Sequence, residues 1–244
     1  MRKFGLIGHP LGHSFSASYF AAKFEALGCA KECTYQNFDL ECIEQIRVVL
    51  EQNPELEGFN VTIPYKEQIL PYLYTISDEA ARIGAVNCVK VESGKLHGYN
   101  TDLYGAGVTI DRLTGGKPYK ALVLGSGGAS KAVREALRIR GIEYTLVSRK
   151  HSAEAIAYEE LTEEIMASHK LIINTTPLGM YPKVEGAPDI PYSCLTAEHR
   201  LFDIVYNPAV TRFMAMGTAQ GAQAVCGEEM LREQAEKSWE IWNI

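Results

Sequence analysis

The chain has 244 residues, 46% of them hydrophobic, and 30 acidic against 24 basic side chains give a net charge of −6. This length leaves room for one or two domains, and a chain of this size buries roughly 70% of its extended surface on folding, which excludes disorder as its main state. The negative field disfavours nucleic acid and anionic membrane surfaces as partners, and no stretch is apolar over the length a bilayer span needs.

The N-terminal run Met1-Arg2-Lys3-Phe4-Gly5-Leu6-Ile7 is too short for a secretory signal and is stopped by Gly8 and Pro10. Strand-like segments at 3–7, 33–38 and 58–62 then alternate with helical ones at 17–27 and 40–51, which predicts a parallel α/β layer. The segment 94–102 leads to Asp102, read as the N-cap of a helix running to about Leu113 that crosses between domains. A second series follows: strand 121–124, helix 131–140, strand 144–147, helix 161–169 and strand 171–173. Residues 177–191, with four prolines, read as a long surface loop of the kind that forms lids or binding loops. Helices are expected at 212–220 and 228–242. The last carries Trp239, Ile241 and Trp242, aromatic anchors that need a surface to cover.

Six cysteines, Cys29, Cys33, Cys42, Cys88, Cys194 and Cys226, form no CxxC pair and no zinc-type spacing. They read as buried thiols in a reducing cytoplasm, and no metal site is expected.

Immediately after the strand 121–124 comes Gly125-Ser126-Gly127-Gly128-Ala129-Ser130, opening a helix. Glycines there let the backbone approach a pyrophosphate, while the N–H groups and dipole of the helix start stabilise its charge. Ser130 stands at the third glycine position, where a small residue is tolerated. Taken alone, such a loop is also a tight strand-to-helix turn without a ligand. The next strand ends in Ser148-Arg149-Lys150, where an NAD-specific protein would place an acid for the ribose 2′-hydroxyl. A guanidinium instead suits a 2′-phosphate, so NADP is favoured over NAD. Asn174-Thr175-Thr176-Pro177-Leu178-Gly179-Met180 places small polar groups at a strand's carboxyl end, where such sheets hold ligands.

The first half carries polar residues at strand ends and turns: His13-Ser14-Phe15-Ser16, Asn60-Val61-Thr62-Ile63-Pro64-Tyr65-Lys66, Gly84-Ala85-Val86-Asn87 and Asn100-Thr101-Asp102. Two serines spaced by one residue can aim both hydroxyls at one carboxylate. Asn60 and Thr62 share a face of an extended strand, and Pro64 shapes the turn that presents Lys66. The set suits a polyhydroxylated carboxylic acid. Hydride transfer to or from a secondary alcohol needs a proton donor or acceptor beside the oxygen. Lys66 is the candidate, with Asp102 nearby to favour its charged form or bind hydroxyls. Taken singly, each residue has an ordinary structural explanation: Lys66 a surface charge, Asp102 a helix cap, Ser14 or Thr62 a local backbone bond.

In this order the motifs resemble the shikimate dehydrogenase family over essentially the whole chain, with Gly98-Tyr99-Asn100-Thr101-Asp102, Tyr206-Asn207-Pro208 and Gly227 through Met230-Leu231 to Gln234 adding to those above. The resemblance implies an NADPH-dependent reduction of 3-dehydroshikimate to shikimate on the route to chorismate and the aromatic amino acids. It implies that Ser14 and Ser16 hold the substrate carboxylate and that Thr62, Asn87, Asp102, Tyr206 and Gln234 surround its hydroxyls and ring. Asn60 and Thr101 complete the substrate side, and Lys66 and Asp102 form the catalytic pair. The cofactor side comprises Gly125, Ser126, Gly127, Gly128, Ala129, Ser148, Arg149, Lys150, Asn174, Thr175, Thr176, Gly227 and Met230. The implied fold is a two-domain α/β protein: a substrate domain at 1–103 plus about 229–244, and a Rossmann-type NADP-binding domain at 104–228. The C-terminal helix returns to the first domain. A cytoplasmic monomer or homodimer is expected, with no nucleic-acid or membrane partner.

The chain departs from the family pattern in three ways. Ala17 and Phe20-Ala21 stand where a proline and a His-Asn pair are usual, which leaves open how the first helix is anchored. Ser148-Arg149-Lys150 keeps only the arginine of the usual Asn-Arg-Thr, and the chain is short, so some loops are trimmed. Two rival readings are a quinate/shikimate dehydrogenase or a related enzyme using NAD or a modified substrate, where Arg149 argues against NAD and quinate stays open, and a catalytically silent NADP-binding sensor, against which the retention of both Lys66 and Asp102 argues.

Overall fold

The computed structural model describes residues 1–12 and 15–244. Two compact units divide the chain, one formed by Met1–Thr101 with Ala235–Ile244 and the other by Asp102–Gln234.

The first unit comprises β1 (Arg2–Gly8), α1 (Phe15–Ala26), β2 (Cys33–Asp39), α2 (Ile46–Gln52), β3 (Leu56–Val61), β4 (Thr75–Ile76), α3 (Asp78–Ile83), β5 (Cys88–Glu92) and β6 (Lys95–Tyr99). Its six-stranded sheet has the order β2-β1-β3-β5-β6-β4. The expected parallel layer holds for β2-β1-β3 but is interrupted at β5, which runs antiparallel to both β3 and β6, while β4 pairs in parallel with β6. The segment at 94–102, read as a link, instead supplies β6. Ser93 and Gly94 turn the chain with φ of 50° and 72°, the paired positive values that suit a tight hairpin between twisted strands. The helix expected at 40–51 is split into a 3-10 turn at Ile43–Gln45 and α2.

The second unit runs through α4 (Asp102–Thr114), β7 (Ala121–Leu124), α5 (Gly128–Ile139), β8 (Tyr144–Ser148), β9 (Ala155–Ala157), α6 (Glu163–Ser168), β10 (Leu171–Asn174), β11 (Arg200–Asp203), α7 (Arg212–Thr218), β12 (Gln223–Val225) and the start of α8 (Glu228–Trp242). Its sheet is wholly parallel, in the order β12-β11-β10-β7-β8-β9. Strands β7 and β10 are buried along their whole length, as a parallel sheet covered on both faces requires. Asp102 is the first residue of α4, inside the helix rather than capping it.

The connection between β8 and β9 is short. They pair in parallel, Leu146 with Ala155 and Ser148 with Ala157, yet only residues 149–154 connect them, where parallel strands ordinarily need a crossover of about a dozen residues or more. Ser152 Oγ holds this link by accepting from the Glu154 and Ala155 amides at 3.3 and 3.1 Å.

The substituted first helix is anchored by aromatic packing. Phe20 of α1 stacks on Tyr35 at 4.6 Å and lies 5.3 Å from Trp242, which itself stacks on Phe4 at 4.9 Å. Glu236 accepts from the Tyr19 hydroxyl and pairs with Lys23 Nζ at 2.6 Å. Trp239, Ile241 and Trp242 thus find their surface inside the first unit, and each centroid distance falls where aromatic pairs attract.

Candidate active site

The glycine segment Gly125-Ser126-Gly127 follows β7, and α5 begins at Gly128 with Gly127 as its N-cap. A cavity of about 460 Å³ opens there, lined by Gly125, Ser126, Gly127, Ser148, Arg149, Tyr158, Thr175, Thr176, Pro177 and Leu178. Gly125 has φ +101°, and a Cβ on it would come 2.7 Å from Thr176 Cγ2, so only glycine brings the two loops this close. Gly127 and Gly128 face open space instead. Their backbone N–H groups and the helix start offer a concave, anion-binding surface with Arg149 on its rim. The residues present therefore fit a dinucleotide phosphate.

The wall opposite the glycines rests on a buried polar network. Thr175 Oγ1 donates to the Leu124 carbonyl at 2.7 Å. Asn174 Oδ1 accepts from the Thr176 amide and hydroxyl at 3.0 and 2.6 Å, while Asn174 Nδ2 donates to Asp203 Oδ1 at 3.0 Å. The Val205 amide also donates to that oxygen at 3.0 Å, and Thr211 Oγ1 donates to Asp203 Oδ2 at 2.6 Å. Burial pushes the Asp203 carboxyl up to about 6 despite these three donors.

A larger depression of about 710 Å³ lies at the opposite ends of the same strands, lined in part by Lys117, Lys120, Lys170 and Arg200. Lys120 is paired with Glu143 at 2.9 Å and Lys170 with Glu198 at 3.6 Å. The carboxyl ends are where parallel sheets hold ligands, and the glycine cavity is there.

In the first unit, a second network joins the predicted polar residues. The Ser16 side chain hydrogen-bonds the Tyr35 hydroxyl, whose pKa burial raises well above the ordinary value. Tyr35 donates to Asn60 Oδ1 at 2.9 Å, and Asn60 Nδ2 donates to Ser238 Oγ at 2.9 Å and to the Asn87 carbonyl at 3.3 Å. Asn87 Oδ1 accepts from the Thr101 amide and hydroxyl at 2.6 and 3.2 Å, and Thr101 Oγ1 lies 3.1 Å from Ser238 Oγ. Asn60, Asn87, Thr101 and Ser238 are buried. The Lys66 carbonyl accepts from the Val86 amide at 2.8 Å, which ties its turn to the segment carrying Asn87.

Ser14 lies outside the described residues. Ser16, Asn60, Asn87 and Thr101 fall on one network, Thr62 follows β3, and Lys66 sits on the turn after it. Lys66 belongs to the first unit and Asp102 opens the second, which also holds Tyr206 and Gln234. Tyr206 is 43% exposed, whereas Gln234 is buried with Nε2 on the Leu231 carbonyl at 2.9 Å. On the cofactor side, Gly128 and Ala129 form the first turn of α5, and Lys150 follows Arg149, its amide 3.4 Å from Ser148 Oγ. Asn174 lies beneath the cavity wall. Gly227 abuts the Ile204 carbonyl, and Met230 packs into the core of the second unit. Residue-by-residue reading missed Tyr35, Ser238, Tyr158 and Asp203. Only Asp203 carried a signal, a lone charge ending the apolar run Leu201-Phe202. Among the described residues no group of three or more His, Cys, Asp or Glu could hold a metal ion, and no helix is long and apolar enough to cross a membrane.

A family model described as the shikimate dehydrogenase substrate binding domain matches residues 6–89. The shikimate dehydrogenase (NADP(+)) of Clostridium beijerinckii is 41% identical over 99% of this chain and 92% of its own length. The chain belongs to the shikimate dehydrogenase family. Among solved structures, shikimate 5-dehydrogenase from Thermus thermophilus, in complex with NADP(H) and shikimate, aligns with a TM-score of 0.85 at 34% identity, covering 99% of this chain and 93% of that one. Quinate dehydrogenase from Corynebacterium glutamicum, in complex with NAD, aligns with a TM-score of 0.86 at 26% identity, covering 99% and 93%. The fold is thus shared by solved structures bound to different cofactors, NADP(H) in one and NAD in the other.

Proposed function

We propose that the chain is an NADP-dependent shikimate dehydrogenase that reduces 3-dehydroshikimate to shikimate reversibly, in the biosynthesis of chorismate and the aromatic amino acids. The observation that carries this reading is the open glycine cradle with Arg149 on its rim and no acid at the end of β8, in a chain 41% identical to an NADP(+) shikimate dehydrogenase. NADPH, when bound, supplies the hydride.

The second unit holds the cofactor. Backbone N–H groups at Gly127, Gly128 and Ala129 bind its pyrophosphate, and Arg149, with Ser148 and Lys150, binds its 2′-phosphate. The first unit holds the substrate. Ser14 and Ser16 bind the carboxylate, while Thr62, Asn87 and Thr101 present polar groups to the ring hydroxyls, and Tyr206 and Gln234 are further substrate residues. Asn60, its amide already donating to Ser238 and Asn87, holds that set in register. Lys66 Nζ gives a proton to the substrate oxygen on reduction and takes it back on oxidation, and Asp102 binds a substrate hydroxyl. The enzyme works in the cytoplasm, a reading supported by its free cysteines, and as a monomer or homodimer.

Lys66→Ala and Asp102→Asn test this assignment. Each is expected to lower kcat for shikimate oxidation by about 10²–10⁴-fold while the dissociation constant for NADP stays within twofold of the parent. An undiminished kcat in Lys66→Ala removes the assignment.

A further inference from the structure

Asp203 ends β11 with no exposed surface, and among the described residues its carboxylate has three hydrogen-bond donors but no ion-pair partner. Burying an unpaired carboxylate is unfavourable, and an apolar side chain of similar size would stabilise a core more. The fold keeps the charge at a place where three segments of the second unit converge. Asn174 pairs with Asp203 in the parallel register of β10 and β11. Val205 opens the turn after β11, and Thr211 caps α7.

Two of these segments lead to residues assigned to the cofactor. Through Asn174, whose Oδ1 accepts from the Thr176 amide and hydroxyl at 3.0 and 2.6 Å, the carboxylate reaches the cavity wall opposite Gly125. Through Val205, whose carbonyl accepts from the Gly227 amide at 3.1 Å, it reaches the glycine that follows β12. Asn174 has no freedom to find another orientation: Nδ2 is fixed by Asp203 and Oδ1 by Thr176, so its amide cannot flip without opposing donors. The Asn174 and Val205 bonds both end on Oδ1 and only the Thr211 bond on Oδ2, so an amide would keep the two links toward the cavity, whereas truncation to alanine removes them.

We propose that Asp203 is a positioning residue for the cofactor crevice, its carboxylate fixing Asn174 and the 204–205 turn and, through them, the placement of Thr176 and Gly227. It touches neither cofactor nor substrate and acts through those neighbours. The inference rests on the reading of this crevice as the NADP site, and direct binding separates the two. A parent chain that does not bind NADP overturns the site reading, whereas a parent that binds normally alongside unaffected variants overturns only the role of Asp203.

The test is calorimetric titration of NADP into the full chain, in the parent and in Asp203→Ala, Asn174→Ala and the double variant. Each single substitution is expected to weaken NADP about tenfold, and the double also only about tenfold, because both interrupt the same chain of bonds. The melting temperature of Asp203→Ala is recorded alongside. Affinity within twofold of the parent in Asp203→Ala, or multiplication to about a hundredfold in the double, overturns the inference and leaves Asp203 a structural hub. Should Asp203→Ala fail to fold, Asn174→Ala reads the next member of the chain, and affinity within twofold there overturns it as well.

Discussion

The Trp242 indole lies against the α-carbon of Gly58, in the space a side chain there would need, and its Nε1 donates to the Val89 carbonyl at 3.0 Å. The C-terminal end of α8 is thereby locked onto β3 and β5 by one glycine and one ring. Gly58→Ala is expected to destabilise the protein by roughly 1–3 kcal/mol, as overpacking does, and Trp242→Ala by roughly 3–5 kcal/mol. Once the ring is gone the added methyl fits, so Gly58→Ala in the Trp242→Ala background should have little further effect. Urea denaturation of the four proteins reads the coupling, and additive losses would contradict the contact.

Gly125 and Gly127 separate a structural glycine from a ligand-facing one. Gly125, at φ +101° against Thr176, has no room for a side chain, while Gly127, at φ −74°, faces open space. Gly127→Ala should therefore leave the melting temperature unchanged or slightly higher while weakening NADP at least tenfold. Gly125→Ala should lose both stability and binding. Thermal melts with and without NADP distinguish the two patterns.

Arg149 on the rim of the same cavity is expected to set cofactor choice. Arg149→Glu places a carboxylate at the proposed 2′-phosphate site and should raise KM for NADP far more than KM for NAD. Equal effects on both cofactors would remove its assignment to the 2′-phosphate.

Two buried groups give opposite pH dependences. Asp203, raised to about 6, contributes stability that is present below the unfolded carboxylate value near 4 and is lost as pH rises through about 6. His199 has no exposed surface; its Nδ1 accepts from the Thr196 amide at 2.9 Å, and Nε2 faces the Met166 carbonyl at 3.1 Å. Burial lowers its pKa, so its contribution is full above about 6.5 and falls as pH drops, because the unfolded chain takes up the proton first. Unfolding free energies at pH 7.5 and 5 should show a shallower acid loss for His199→Gln than for the parent and a steeper one for Asp203→Asn. The reverse order would contradict both assignments.

What could be read from the sequence was local. The glycine loop and Arg149 stand next to one another in function because each closes a strand of the second series, and strand periodicity places both. The aromatic C-terminus announced that it needed a surface, though not that Gly58 provides it. The β5–β6 hairpin was missed because Ser93-Gly94 became informative only with its positive φ values. Asp203 was visible as a charge ending an apolar strand, but its meaning depends on Asn174, 29 residues away, and Thr211. Tyr35 and Ser238 gave no signal, since their partner Asn60 is 25 and 178 residues distant. Side-chain bonds over such separations follow from topology, which no local pattern encodes.

The most direct test of the account is the absorbance of reduced nicotinamide after mixing the purified protein with shikimate and NADP, beside quinate and NAD controls. The account predicts rapid reduction with shikimate and NADP and little in the other mixtures. Silence in every mixture, with NADP binding intact, would contradict it and mark the chain as a cofactor-binding relative without this chemistry.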